Sequence, residues 1–177
     1  MEVTVSTAAA MRALGRRLAL VLQAGDLVIL SGPLGAGKTT LTQGIGEGLR
    51  VRGPVTSPTF VIARVHPSLA GGGRPVPGPA LVHADAYRLG SALELDDLDL
   101  DTDTASSVTV VEWGEGLAEG LSADRLEITI TPPAPAGSPD EGFSDDDGDS
   151  PRTVRIAGVG ERWRDIELPS ADLANRL

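Results

Sequence analysis

With 177 residues, 41% hydrophobic and 23% charged, the chain has the size and composition of one globular domain that needs no metal or disulfide staple. Its net charge of −10, with no clustered arginine face, argues against RNA or DNA as the main ligand, because phosphate neutralisation supplies most of that affinity. Zero cysteines exclude disulfides and thiolate metal sites.

The first apolar stretch, "AAAMRALGRRLALVL", carries Arg12, Arg16 and Arg17 inside it, which suits neither a secretory signal nor a membrane span. A cytoplasmic protein is expected. Ser6 or Thr7 caps a predicted helix running to about Leu22, with Met11, Leu14, Leu18 and Leu22 at helical spacing and Gly25 just past its end. "DLVIL" (26–30) then reads as a buried strand, a glycine-rich turn follows at once, and "TTLTQGIGEGLR" opens a second helix with Leu41, Ile45 and Leu49 on one face.

"TFVIARV" (59–65) and "ALVHAD" (80–85) read as strands joined by the irregular "HPSLAGGGRPVPGP". "ALELDDLDLDTDT" alternates leucine with acid and reads as a solvated helix or loop edge rather than a cation site. "SVTVVEW" (107–113) is a β-branched strand. "RLEITI" and "RTVRIAGV" form a predicted hairpin interrupted by a Pro/Gly/Ser-rich acidic insert, residues 132–151, whose composition predicts disorder. The expected architecture is one α/β domain spanning 1–177, P-loop NTPase-like, with a mostly parallel central sheet flanked by helices and a C-terminal β-hairpin.

Fourteen of the fifteen Lys+Arg residues are arginine, and the single lysine, Lys38, sits in "GPLGAGKT". Gly32 to Thr39 fits G-x-x-x-x-G-K-[ST], the phosphate-binding loop. Gly32, Gly35 and Gly37 let the backbone curl so that amides around Leu34, Ala36 and Thr40 point inward, and the following helix aims its positive dipole end at the phosphates. Lys38 reaches the β- and γ-phosphates as a compact charge that the forked guanidinium of arginine does not replace. The Thr39 hydroxyl suits Mg²⁺.

Such a site also needs an acid at the end of a neighbouring strand. Asp85 ends "LVHAD" and Glu112 ends "VTVVE", and both would stand at the carboxyl edge of a parallel sheet, where α/β ligands bind. Which of them ligates Mg²⁺ directly stays open on spacing alone. The chain has no second lysine for the N-K-x-D guanine motif and no L-S-G-G-Q stretch, so GTPases and transport ATPases are disfavoured. Arg64, Arg74 and Arg88 are scattered, which weakens a metabolite-kinase reading. A nucleotide-holding binding module that barely hydrolyses its ligand is the rival from another class.

Taken in order, "GPLGAGKTT", "VTSPTF" (55–60), "HADAYRL" (83–89) and "VEWGE" (111–115) resemble the TsaE (YjeE) family of bacterial P-loop ATPases. The resemblance implies a role in making N6-threonylcarbamoyladenosine on tRNAs that read codons starting with A. It further implies ATP/ADP and Mg²⁺ as cofactors, and the TsaD–TsaB pair as the partner whose repeated turnover ATP hydrolysis supports. By motif, Lys38 and the loop amides hold phosphates, Thr39 and Asp85 serve Mg²⁺, Glu112 acts near the γ-phosphate, Trp113 lies beside the nucleotide, and Thr59 is similar to a switch threonine. His83 reads as a satisfied inner-face residue, and Arg88 as a phosphate or partner contact or a surface ion pair.

Overall fold

The computed structural model describes residues 1–58, 62–69, 78–89, 91, 105–133 and 150–169. In chain order the elements are β1 (Glu2–Val5), α1 (Ala8–Leu18), β2 (Leu27–Ser31), α2 (Lys38–Leu49), β3 (Ala63–His66), β4 (Ala80–Asp85), β5 (Ser107–Glu112), β6 (Arg125–Thr131) and β7 (Arg152–Val159), with short 3₁₀ turns at Glu119–Leu121 and Glu161–Trp163. All seven strands form one sheet in the order β1-β7-β6-β2-β5-β4-β3. The four central strands, β6, β2, β5 and β4, run parallel, while β1, β7 and β3 pair antiparallel at the flanks. The expected α/β fold with a C-terminal hairpin is the fold observed.

Strand burial follows position. Every residue of β2 and β5 is buried, as expected of parallel strands covered on both faces. One face, carrying Val28, Leu30, Val108 and Val110, packs with Leu18, Leu41 and Ile45 from the helices. The other carries Ile29 and Val111, which pack with Val82, Ala84 and Ala118 in a smaller cluster. β6 instead alternates, burying Leu126, Ile128 and Ile130 and leaving Glu127, Thr129 and Thr131 more open, the pattern of a sheet with one wet face.

α1 and α2 touch backbone to backbone. A Cβ on Gly15 would lie 2.8 Å from Gly44 Cα, one on Gly44 would lie 2.9 Å from Arg12 Cα, and one on Gly48 would lie 2.8 Å from Arg16 O. Glycine costs about 1 kcal/mol in a helix interior, so these positions trade helix propensity for a crossing that no side chain would permit.

Several boundaries differ from the sequence reading. α1 is capped by Thr7, whose side chain accepts from Ala10 N, and it ends at Leu18 instead of Leu22. Leu22 remains buried on the helical period, but it is carried by a turn in which both Val21 N and Leu22 N donate to Leu18 O. β1 went unread, and β3 is a strand only from Ala63. The acidic run 92–104, residues 134–149 of the predicted insert, and Thr59–Val61 of the predicted strand lie outside the described residues.

Candidate functional site

The phosphate loop bridges β2 and α2. Gly32, Gly35 and Gly37 have φ of 139°, 76° and 108°, a left-handed run that residues with a Cβ rarely adopt. Gly32 additionally runs against the backbone of β6, where a Cβ would collide with Ile130 O. Gly37 caps α2 without a side-chain acceptor, so the first helical amides are left for a ligand. Ala36 is buried beneath the loop, and Leu34 stands 91% exposed at its tip.

Two acids meet this loop because the register aligns three strand ends. Leu30 pairs with Glu112 and Glu112 with Asp85, so both carboxylates stand at the carboxyl edge beside the loop. Trp113 N donates to Leu30 O at 2.8 Å and Ala86 N to Glu112 O at 2.9 Å, which carries the pairing one residue past each acid. A cleft of about 210 Å³ opens there, lined by Leu34, Gly35, Gly37, Lys38, Thr39, Thr40, Ser57, Asp85, Glu112 and Trp113. That volume suits a charged tail rather than a whole drug-sized ligand, which occupies about 300–1,000 Å³.

Lys38 is only 4% exposed, and its Nζ donates to Gly32 O at 2.8 Å and Pro33 O at 2.9 Å. The ammonium also lies 3.7 Å from the Trp113 ring centroid, a cation–π contact of about 2 kcal/mol when shielded from water. Burial lowers the Lys38 pKa from its ordinary value, opposed by the charges of Glu112 and Asp85. Trp113 holds its ring there from a left-handed backbone, φ 59°, a conformation that costs a bulky residue about 1–3 kcal/mol. Its bond to Leu30 O pins that backbone, and Tyr87 packs on its ring at 5.0 Å between centroids.

Glu112 is buried and accepts from Thr39 Oγ1 at 2.9 and 3.1 Å. It also meets His83 Nε2 at 2.7 Å. Asp85, likewise buried, accepts from Tyr87 N at 2.9 Å. Thr39, Glu112 and Asp85 offer one hydroxyl and two carboxylates, the sparse hard-oxygen set that Mg²⁺ uses when phosphate and water complete its octahedron. Among the described residues no group of three His, Cys, Asp or Glu forms a metal cage of its own.

The structure therefore brings together Lys38, Thr39, Asp85, Glu112 and Trp113, which the sequence singled out from separate stretches. Ser57, from the S-P-T-F stretch, also lines the cleft, while Thr59 lies outside the described residues. Arg88 is exposed and is not among the lining residues. His83 is inner-face as read, but its contact with Glu112 was missed. Its place on the strand that ends in Asp85 was the one available signal.

A phosphate loop at a strand–helix junction, with acids at the ends of adjacent parallel strands, defines an α/β protein of the P-loop class. Residues 5–136 match the family described as "Threonylcarbamoyl adenosine biosynthesis protein TsaE", and the chain belongs to that family. This places it in tRNA threonylcarbamoyladenosine biosynthesis. The protein of that name from Streptomyces coelicolor is 58% identical over 159 residues, which cover 89% of this chain and 97% of the relative. The one from Bacillus subtilis is 34% identical over 153 residues, covering 86% and 82%. The crystal structure of B. subtilis YdiB superposes with a TM-score of 0.64 at 28% identity, covering 92% of this chain and 88% of the other.

Among the described residues no helix is long and apolar enough to cross a membrane.

Proposed function

We propose that the protein binds ATP with Mg²⁺ in the loop cleft and hydrolyses it, acting in the cytoplasm on a TsaD–TsaB pair to support repeated tRNA modification. The observation that carries this reading is the convergence of Lys38, Thr39, Asp85 and Glu112 on one cleft at the carboxyl edge of the sheet. Lys38 and the amides of Gly35 to Thr40 bind the β- and γ-phosphates. Thr39 would hold Mg²⁺ with Asp85 beside it, its hydroxyl turning away from Glu112 to do so. Bound Mg²⁺ supplies charge neutralisation across the transferring phosphoryl group. Glu112 orients the attacking water and takes its proton, and the Trp113 ring shields the ammonium of Lys38 from solvent.

Among the described residues no arginine lines the cleft. Phosphoryl transfer draws much of its rate from a cation at the γ-phosphate, often an arginine supplied by a partner. The isolated protein accordingly binds well and turns over slowly, and the partner accelerates it. Steady-state ATPase with and without TsaD–TsaB at matched Mg²⁺ tests this, together with ATP binding followed by Trp113 fluorescence. Equal rates with complex formation confirmed remove the coupling, and binding without any turnover leaves a nucleotide-holding module.

A further inference from the structure

Glu112 has a second neighbour on its buried side. His83 stands two residues before Asp85 on β4, opposite Val110 of β5, and its ring reaches along the sheet to Glu112 two residues further on. The His83 side chain is fully buried, so its 2.7 Å bond to Oε1 lies behind the carboxylate, away from the cleft. The Thr39 bond is at the cleft, where a ligand replaces it. The His83 bond is shielded from any such exchange.

We propose that His83 is a positioning residue for Glu112: its Nε2–H grips Oε1 and fixes the direction in which the carboxylate faces the cleft. A carboxylate only accepts hydrogen bonds, so the shared proton belongs to His83 Nε2. Its Nδ1, which has no partner in the described structure, is then the bare nitrogen. His66 provides an internal contrast. It pairs with Leu81 across β3 and β4, which makes it the diagonal neighbour of His83, and it is also buried. Its Nε2 has no partner in the described structure, whereas in His83 that nitrogen is the one that meets Glu112. The two histidines of the chain therefore differ in which ring nitrogen lacks a partner, Nδ1 in His83 and Nε2 in His66.

A buried carboxylate held on one side only would swing with Thr39 whenever the hydroxyl lets go. Held from behind, Glu112 keeps its aim while Thr39 changes partner. This role rests on the hydrolysis proposed above, whereas the tautomer assignment does not.

The experiment joins long-range ¹H–¹⁵N NMR of the free full-length protein at neutral pH with kinetics of three variants. A His66→Gln variant assigns the two rings. His83 is expected as the Nε2–H tautomer, and Glu112→Ala should release it into a tautomer mixture. His83→Leu should lower kcat about 10–100-fold, as loss of a group that orients a reacting ligand does, with ATP affinity within about threefold of wild type. His83→Gln, whose amide nitrogen takes the place of Nε2, should restore most of that loss, and thermal melts of both variants report folding.

An Nδ1–H or doubly protonated His83, or a His83 spectrum unmoved by Glu112→Ala, overturns the contact and with it the proposal. A folded His83→Leu protein with wild-type kcat overturns the role. If the wild-type protein shows no ATPase even with TsaD–TsaB, the hydrolysis reading fails, and the NMR arm still decides whether His83 holds Glu112.

Discussion

The two halves of the sheet bury different things. On one side of β2, the β6–β7–β1 arm is antiparallel at its edge and contributes Leu126, Ile128, Ile130, Val154, Ile156, Val3 and Val5 to the core. On the other side, β5 and β4 bury His83, Asp85 and Glu112 at their carboxyl ends, against Lys38 from the helix. The first arm holds the molecule together by removing apolar surface from water. The second spends part of that stability on charges, a bulky residue at positive φ and glycines in left-handed turns. Both arms carry apolar core, and the buried site carboxylates are confined to the ends of the second.

The sharpest break in that comparison is expected at Glu112. Glu112→Gln should spare ATP affinity and depress turnover by about 10²–10⁴-fold, the range of a positioned general base. Asp85→Asn should instead weaken Mg²⁺-dependent binding. Mg²⁺ titrations and single-turnover rates separate the two, and the opposite pattern exchanges their roles.

Next in size is a change on the other arm. Ile128 is 1% exposed in the main core, and Ile128→Ala should cost about 2–5 kcal/mol in chemical denaturation. Its ATP affinity, measured well below the melting temperature, should match wild type. A parallel loss of affinity would show that the arms are not independent.

Lys38→Ala gives the complementary result. It removes charge-assisted contacts of about 1.5–3 kcal/mol each, so ATP affinity should fall by about 100-fold or more. The same change relieves a buried ammonium, and the melting temperature of the free protein should hold or rise. A large fall would place Lys38 in the scaffold.

The smallest effect concerns pH. Burial lowers the pKa of His66, with the charge of Arg64 adding to the shift and the Arg52 backbone opposing it. The unfolded chain therefore takes up this proton first as pH falls. Stability is fully present above the ordinary histidine value of about 6.5 and declines as pH drops from there toward the lowered folded value. His66→Gln should flatten that part of the stability curve, as read from denaturation midpoints across the range.

Much of this was legible from residue order, and for a chemical reason. A phosphate loop requires glycine, lysine and threonine at set positions, so "GPLGAGKT" announced its strand, its helix and its site together. β4 and the strand pair β6–β7 were equally readable, since "ALVHAD", "RLEITI" and "RTVRIAGV" carry apolar runs bounded by turns. β1 was not, because "EVTV" is four residues long and finds its partner about 150 positions away. The end of α1 was misread because Leu22 keeps the helical period that the turn after Leu18 abandons. The grip of His83 on Glu112 depends on the register of β4 against β5, and the positive φ of Trp113 on its bond to Leu30. Neither leaves a local mark in the chain.

The pairing of β1 with β7 also sets a timetable. α1 and α2 cross within the first 49 residues and can meet while the chain is still being made, but Glu2–Val5 has no strand to join until Arg152–Val159 has left the ribosome. At about 5–20 residues per second that interval lasts roughly 8–30 s. In its last part, between synthesis of Thr131 and of Val159, β6 also shows one unpaired edge, the kind of surface on which neighbouring chains pair. Slower synthesis should therefore raise the fraction that aggregates before release, and the sheet closes only when its first strand is the last to be added.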